Sequence, residues 1–448
     1  MRRIKSWLTS GAALGIAFIS GPSRQAHGAP PDAVEAFRLE LRANPADPAE
    51  WEARLRRRAM ELVSLKEVRE ALQLAEWRTV TGGDAKAQGV EHRLRAELMN
   101  RLVEGYRQTL KSADSRSAAQ LLERLDEVTR GQNTGISILE ACAELLPELE
   151  RQVRQGEPEA RLSGLRVIGR IPTKQETVLG VLKELAGPQQ PAETRFLAAE
   201  AIESQVRLKT RAGEKSKAAY EAAGPFAVAA GPVIRMLCAD SQPKVRQMAM
   251  NSSHLVAVAL NASLAEPIIA PAGTDPAAYA LHSPVRADQL ALLSAVRDLM
   301  PAAGVALRDP DAAVRVQAQK FFDEAARARL SWNAMSGSSG QDPLREGLKT
   351  ILQTLVEATR DPDARVRRAT IDVLESMGSD AGPAGPALAE ALGDSDAFVR
   401  WAAVRAISAL GGEATKAALP RLRTLSADPD TDVREAAAAA VRRLEPRR

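Results

Sequence analysis

The amino-acid sequence predicts an all-α solenoid, a superhelical array of stacked helical hairpins behind an atypical helical N-terminal cap. Three observations carry this expectation. First, a short motif recurs, with Asp six positions before Arg and Val directly before that Arg: "DSQPKVR" at 240–246, "DPDAAVR" at 309–315, "DPDARVR" at 361–367, "DSDAFVR" at 394–400 and "DPDTDVR" at 428–434. Second, Arg367 and Arg400 lie 33 residues apart, and Arg400 and Arg434 lie 34 apart, which is the length of one helical pair. Third, aromatic residues make up only 3% of the chain, so small side chains must fill the core, and no alternating strand pattern of useful length occurs.

Residues 1–28 read as an export signal. Arg2, Arg3 and Lys5 form a charged start, Trp7 to Ile19 a short apolar run, and Ala26-His27-Gly28 a small-residue cleavage site. A membrane-crossing helix needs roughly 20 apolar residues, so the expectation is cleavage, a chain with no transmembrane segment afterwards, and a periplasmic or extracellular destination. The signal also carries the charge excess. Of 61 basic residues, Arg2, Arg3, Lys5 and Arg24 belong to it, which leaves 57 against 57 acidic residues. A chain without a basic surplus lacks the global footprint that binding nucleic acid requires.

Residues 29–146 are helical in pattern but lack the Asp–Arg motif. They include a hairpin anchored by Trp51 and Trp77, and a worn repeat around Arg116. This third reads as the cap of the array, with a small docking module as the alternative.

From about residue 147 to residue 448 the expectation is eight repeats. Arg161, Arg195, Arg246, Arg315, Arg367, Arg400 and Arg434 mark seven, and "HSPVRADQLALLSAVRDL" supplies one at Arg286. Each repeat holds one helix before the Asp and one after the Arg. In the second, positions +3, +6, +7 and +10 from the Arg (Ala403, Ala406, Ile407 and Leu410 in one copy) make a single apolar face. Gly378 and Gly411 suit the left-handed residue that ends such a helix. Three long gaps, near 204–225, 261–284 and 330–344, read as insertions.

The paired carboxylates of the motif raise the question of a metal site. A calcium loop needs oxygen ligands at positions 1, 3 and 5, Gly at 6 and a bidentate Glu at 12. Asp428, Asp430 and Asp432 fill the first three, but Val433 stands at 6 and no Glu follows. The turn is therefore read as structural. The leading Asp is taken as helix cap, and Pro310, Pro362 and Pro429 as the first helical residue.

The D-x-D-x-x-V-R turn followed by A-x-x-A-[LI] resembles HEAT-like repeats of the short type found in phycobilisome lyases, over about two thirds of the chain. The resemblance implies that each Arg reaches an Asp of a neighbouring turn. The ladder would comprise Asp240, Arg246, Asp309, Arg315, Asp361, Arg367, Asp394, Arg400, Asp428 and Arg434. It also implies that the second helices line a concave face. Positions +1, +4, +5 and +8 should then be exposed there, giving Trp401, Val404, Arg405 and Ser408 in one copy. Phe196, Glu200, Gln247, Asn251, His254, Lys320, Arg368 and Asp372 follow in others. Trp401, Arg405, Arg368, Asp372, Lys320, Asn251 and His254 are the expected contacts for a protein or peptide partner, because Trp and Arg dominate binding hot spots.

Catalytic motifs are missing from the sequence. There is no G-x-S-x-G, P-loop, G-x-G-x-x-G or H-E-x-x-H, and only His92, His254 and His282 follow the signal. Cys142 and Cys238 read as small buried side chains, and a Cys238/His254 dyad has nothing to orient its imidazole. The sequence thus points to a non-catalytic interaction scaffold with no cofactor. The alternative is a lyase-type enzyme or a tetrapyrrole-like small-molecule carrier of the kind the resemblance names.

Overall fold

The computed structural model describes residues 103–112, 114–129, 143–171, 175–210, 217–265, 286–336 and 342–444, with Ala53, Arg57 and Asn100 besides. The expected signal, the Trp51/Trp77 hairpin, Cys142, His92 and His282 lie outside them. Two compact units divide the chain, Met1–Leu98 and Met99–Arg448.

The described regular elements of the second unit are all helical. In order they are α1 (Ser115–Thr129), α2 (Leu146–Gln155), α3 (Pro158–Arg170), α4 (Gln175–Leu185), α5 (Ala192–Thr210), α6 (Lys217–Cys238), α7 (Pro243–Leu264), α8 (Ala287–Ala306), α9 (Ala312–Ser336), α10 (Pro343–Thr350), α11 (Leu352–Ala358), α12 (Ala364–Met377), α13 (Gly385–Ala391), α14 (Ala397–Leu410), α15 (Gly412–Leu425) and α16 (Thr431–Leu444). Two 3-10 turns, Ala143–Leu145 and Gly378–Ala384, lead into α2 and α13.

The helices stack in two rows. One row runs α1, α3, α5, α7, α9, α12, α14, α16, each packed on the next. The other holds the partner of each hairpin: α2, α4, α6, α8, α10 with α11, α13 and α15. This is an all-α solenoid, in which no hairpin buries its apolar face without its neighbours. The expected apolar positions are the core. Ala403, Ala406, Ile407 and Leu410 are buried, as are Thr370, Val373, Leu374 and Met377 one copy earlier, and Ala318, Phe321, Phe322 and Ala325 before that. Phe321 and Phe322 meet edge to face, 5.1 Å between centroids. Gly378 and Gly411 take φ of 57° and 67° where α12 and α14 stop, a conformation that costs a residue with a Cβ.

The copy expected at Arg286 is not a repeat of its own. Arg286 caps α8, which belongs to the partner row, between α6 and α10. Apolar spacing is the same for either helix of a hairpin, and only the paired Asp turn distinguishes them; position 280 is Ala. From residue 143 onward the described residues therefore hold seven hairpins, α2/α3 through α15/α16. Two of the long gaps are largely helix. α5 runs to Thr210, α6 starts at Lys217 and α9 runs to Ser336, leaving only 211–216 and 337–341 of those gaps outside the described residues. Residues 266–284 of the third gap lie outside them as well.

Candidate functional site

The Asp–Arg turns share a common geometry, complete at Arg246, Arg367 and Arg400. Arg246 sends Nη1 back to the carbonyls of Asp240 and Ser241, 2.8 and 3.0 Å away, which ties the turn of its own repeat. Its Nε and Nη2 point forward to the two oxygens of Asp309, at 2.6 and 2.8 Å. The forward step repeats for Arg195 to Asp240 (2.6 Å), Arg315 to Asp361 (2.8 Å), Arg367 to Asp394 (2.7 Å) and Arg400 to Asp428 (2.9 Å). These charges are largely withdrawn from water; the Asp428 side chain is 3% exposed. Two-pronged Arg–carboxylate contacts are strong because both partners are charged and planar.

The leading Asp is not the cap. It accepts the backbone N–H two residues on, as Asp394 does from Asp396 at 2.9 Å, and spends its remaining lone pairs on the arginine. The second Asp caps the helix: Asp396 accepts from Phe398 and Val399, Asp311 from Ala313 and Val314, and Asp363 from Arg365. Pro310, Pro362 and Pro429 therefore sit before the cap rather than at the first helical position. Only Pro243, in α7, holds that place in these turns. The ladder also has ends that the resemblance does not foretell. Arg161 gives its Nε to the Val153 carbonyl. Gln189, six positions before Arg195, stands where the next carboxylate would be. Arg434 holds the carbonyls of Asp428 and Pro429 and the hydroxyl of Thr431, with no later Asp among the described residues.

Burial is the largest single influence on the carboxyls of Asp240, Asp309 and Asp394 and pushes them up, but the arginine hydrogen bond, the backbone N–H of the turn and the charges of two arginines together outweigh it and hold all three below the ordinary range. Arg400 lowers Asp428 in the same way against a smaller burial effect. Among the described residues no group of three His, Cys, Asp or Glu is arranged to hold a metal ion.

The expected partner contacts fall into two groups. Trp401, Arg405, Arg368 and Asp372 come together on α12 and α14. The Arg405 guanidinium lies over the Trp401 ring, 4.3 Å from its centroid, and reaches Glu375 at 2.6 Å. Arg368 lies over Phe398 at 5.7 Å and faces Asp372 at 3.7 Å. Both arginines keep over a third of their surface in water. Phe398 was not expected here. It is 61% exposed, and it stands at a turn position that other copies fill with Lys, Ala, Arg or Asp, a departure legible in the sequence.

Asn251, His254 and Lys320 lie along α7 and α9. Asn251 donates to Glu203 at 3.0 Å, which fixes it to α5. Burial pushes the His254 imidazole down, with Glu324 opposing and Lys320, Arg207 and Arg327 adding to the effect. Lys320 is exposed. Val404 is buried, against expectation, as are Ile371 and Met250 at the same position. Position +4 belongs to the core in these copies, so +1, +5 and +8 make the accessible stripe. Cys238 is a buried free thiol, pushed up to about 12 by burial, and its sulfur faces Met250 rather than His254.

Residues 352–442 match the family model for HEAT repeats. No curated protein matches the chain. Among solved structures, importin beta is 17% identical, with 92% of this chain and 48% of that one aligned at a TM-score of 0.48. A designed armadillo repeat protein is 16% identical, with 67% of this chain and 99% of that one aligned at 0.35. HEAT repeats are thus the family that the segment from α11 to α16 resembles, in sequence as well as in its helical pairs.

Proposed function

We propose that the protein is a non-catalytic scaffold that docks a protein or peptide partner on the accessible stripe of the second-helix row, centred on Trp401 and Arg405. The observation that supports this most is the pair of aromatic–arginine stacks at α12 and α14. Each offers an apolar ring and a guanidinium, side by side on a rigid surface. Such a stack is held in place before a partner arrives, so little side-chain freedom is lost on docking. The charges around it are mixed, which suits a polypeptide better than a polyanion. The charged start and apolar stretch of residues 1–28 support a scaffold that works outside the cytoplasm.

Affinity capture from the native host, with the full chain, tests it. The comparison chain carries Trp401→Ala, Arg405→Ala and Arg368→Ala. A protein enriched by the native chain and lost from the variant supports the proposal. A partner kept by both moves the site elsewhere on the array, and a coloured small molecule in place of a protein replaces the scaffold reading with that of a carrier.

A further inference from the structure

Arg368, Phe398, Trp401 and Arg405 form a strip of two rings and two guanidiniums. Phe398 and Trp401 stand three residues apart at the start of α14, which makes them neighbours on one face of that helix. Arg405, one turn on, covers the Trp401 ring at 4.3 Å, and Arg368 reaches from α12 over Phe398 at 5.7 Å. The two arginines differ in what else they hold. Arg405 grips Glu375 at 2.6 Å. Arg368 makes no close polar contact among the described residues. Its Nε has no hydrogen-bond partner, and the carboxylate it faces, Asp372, stands off at 3.7 Å. Resting on the docking reading above, we propose that this strip takes an acidic peptide segment, with a partner carboxylate on Arg368 and an adjoining apolar side chain on Phe398.

Two features select an acidic partner over a basic one. The first is the unfilled guanidinium. A planar fork of N–H donors, more than a third exposed and already stacked on a ring, lacks only a planar acceptor, and a carboxylate offers two oxygens in that geometry. In the ladder, Arg246, Arg367 and Arg400 each take a carboxylate in this two-pronged way. The second is that Asp372 is a poor rival for Arg368. Burial pushes its carboxyl up, against the charges of Arg368, Arg405 and Arg327, and its Oδ1 is shut away from water without a hydrogen-bond partner. Asp372 and Glu375 are also each more buried than the arginine they face, so a basic side chain would meet two cations before it met an acid. Phe398 supplies the apolar half. Its ring is 61% exposed, and covering it removes that surface from water.

Selection from a random peptide display library on the full-length protein tests this, with a chain carrying Trp401→Ala and Arg405→Ala for counter-selection. Peptides that depend on the strip should carry Asp or Glu beside a large apolar residue. The affinity of a selected peptide, read by fluorescence anisotropy, should fall about tenfold or more in Arg368→Gln, the usual loss of a hydrogen bond to a charged group. It should rise severalfold in Asp372→Asn, which frees Arg368 of its rival. A merely structural role for the pair would not give changes of opposite sign. Phe398→Ala should weaken binding as well, which keeps the test open if one variant folds poorly. Strip-dependent peptides with a basic or uncharged consensus would overturn the acidic assignment and leave the docking site standing. Acidic peptides held as tightly by Arg368→Gln as by the native chain would overturn it too. If no selected peptide depends on the strip, the docking site falls with it.

Discussion

Arg405 serves two residues at once, stacking its guanidinium 4.3 Å above Trp401 of its own helix while it holds Glu375 of the helix before it at 2.6 Å. The contact surface of α14 is thereby braced against α12. Trp401→Ala removes the ring and leaves the brace, so partner affinity should drop at least tenfold while the unfolding midpoint moves little. A stacked cation of this kind contributes about 0.5–1 kcal/mol at an exposed site. Titration of the captured partner against both chains, alongside thermal unfolding, separates the two effects.

The ladder predicts an uneven cost of losing an arginine. Arg400→Ala leaves Asp428 charged and out of water, and should cost about 1–3 kcal/mol, the usual penalty for a buried polar group deprived of its partner. Arg434→Ala removes a residue with no carboxylate ahead of it and should cost well under about 1 kcal/mol. Urea unfolding of the two variants checks the difference. Equal losses would mean that the backward contact to the turn carbonyls, which both arginines make, carries the stability.

Acid should dismantle the ladder from its carboxylates. Asp240, Asp309, Asp394 and Asp428 all lie below their ordinary value of 3.8 in the folded chain. Above that value the unfolded aspartates are ionised too, and the full stabilisation is present. As pH falls below it, the unfolded chain takes up protons first, and the stabilisation is lost through the folded values. Unfolding followed from pH 6 to pH 2 should therefore steepen below about pH 4, and Asp394→Asn should flatten part of the curve.

Asp323 has the opposite sign. Its unfolded form ionises around 3.8, whereas its folded form keeps the proton to about 7. Stability falls as pH rises between these values and levels off above them. Asp323→Asn should raise the melting temperature at pH 8 and leave it nearly unchanged at pH 4. A variant that melts lower at both would mean that the carboxyl is held by contacts an amide cannot replace.

Packing along the row is tight enough to test with one added side chain. A Cβ at Gly169 of α3 would stand 2.7 Å from the Cα of Ala201 in α5. Backbone cannot yield as a flexible side chain can, so Gly169→Val should cost about 1–3 kcal/mol, the range for overpacked cores. The same substitution at Gly105, with open space around it, is the control for urea unfolding.

The sequence carried the row that faces the turns well, because Val and positions +3, +6, +7 and +10 are tied to a motif with its own chemistry. It misled at Arg286, where an apolar period without its Asp belongs to the other row. It misled again at Val404, because +4 reads as surface on an isolated helix and becomes core only when a neighbour arrives on that side. Trp401, Arg405, Arg368 and Asp372 were legible as residue types at fixed offsets from the repeated arginine. Their gathering with Phe398 and Glu375 depends on contacts between successive helices, which no single period contains.

Each ladder arginine reads backward to its own turn and forward to the next, and the forward contact asks only for an aspartate at the head of a turn. Successive periods are consequently interchangeable at their joints. Excising residues 368–400 would bring Arg367 before Trp401 and present it with Asp428 in place of Asp394, at 28 residues' remove instead of 27. The fastening survives because both ends of the cut carry the same half of a buckle. A chain fastened in this manner can change its length by whole periods and keep its ladder unbroken, while contacts particular to two helices, such as Arg405 on Glu375, would be made anew.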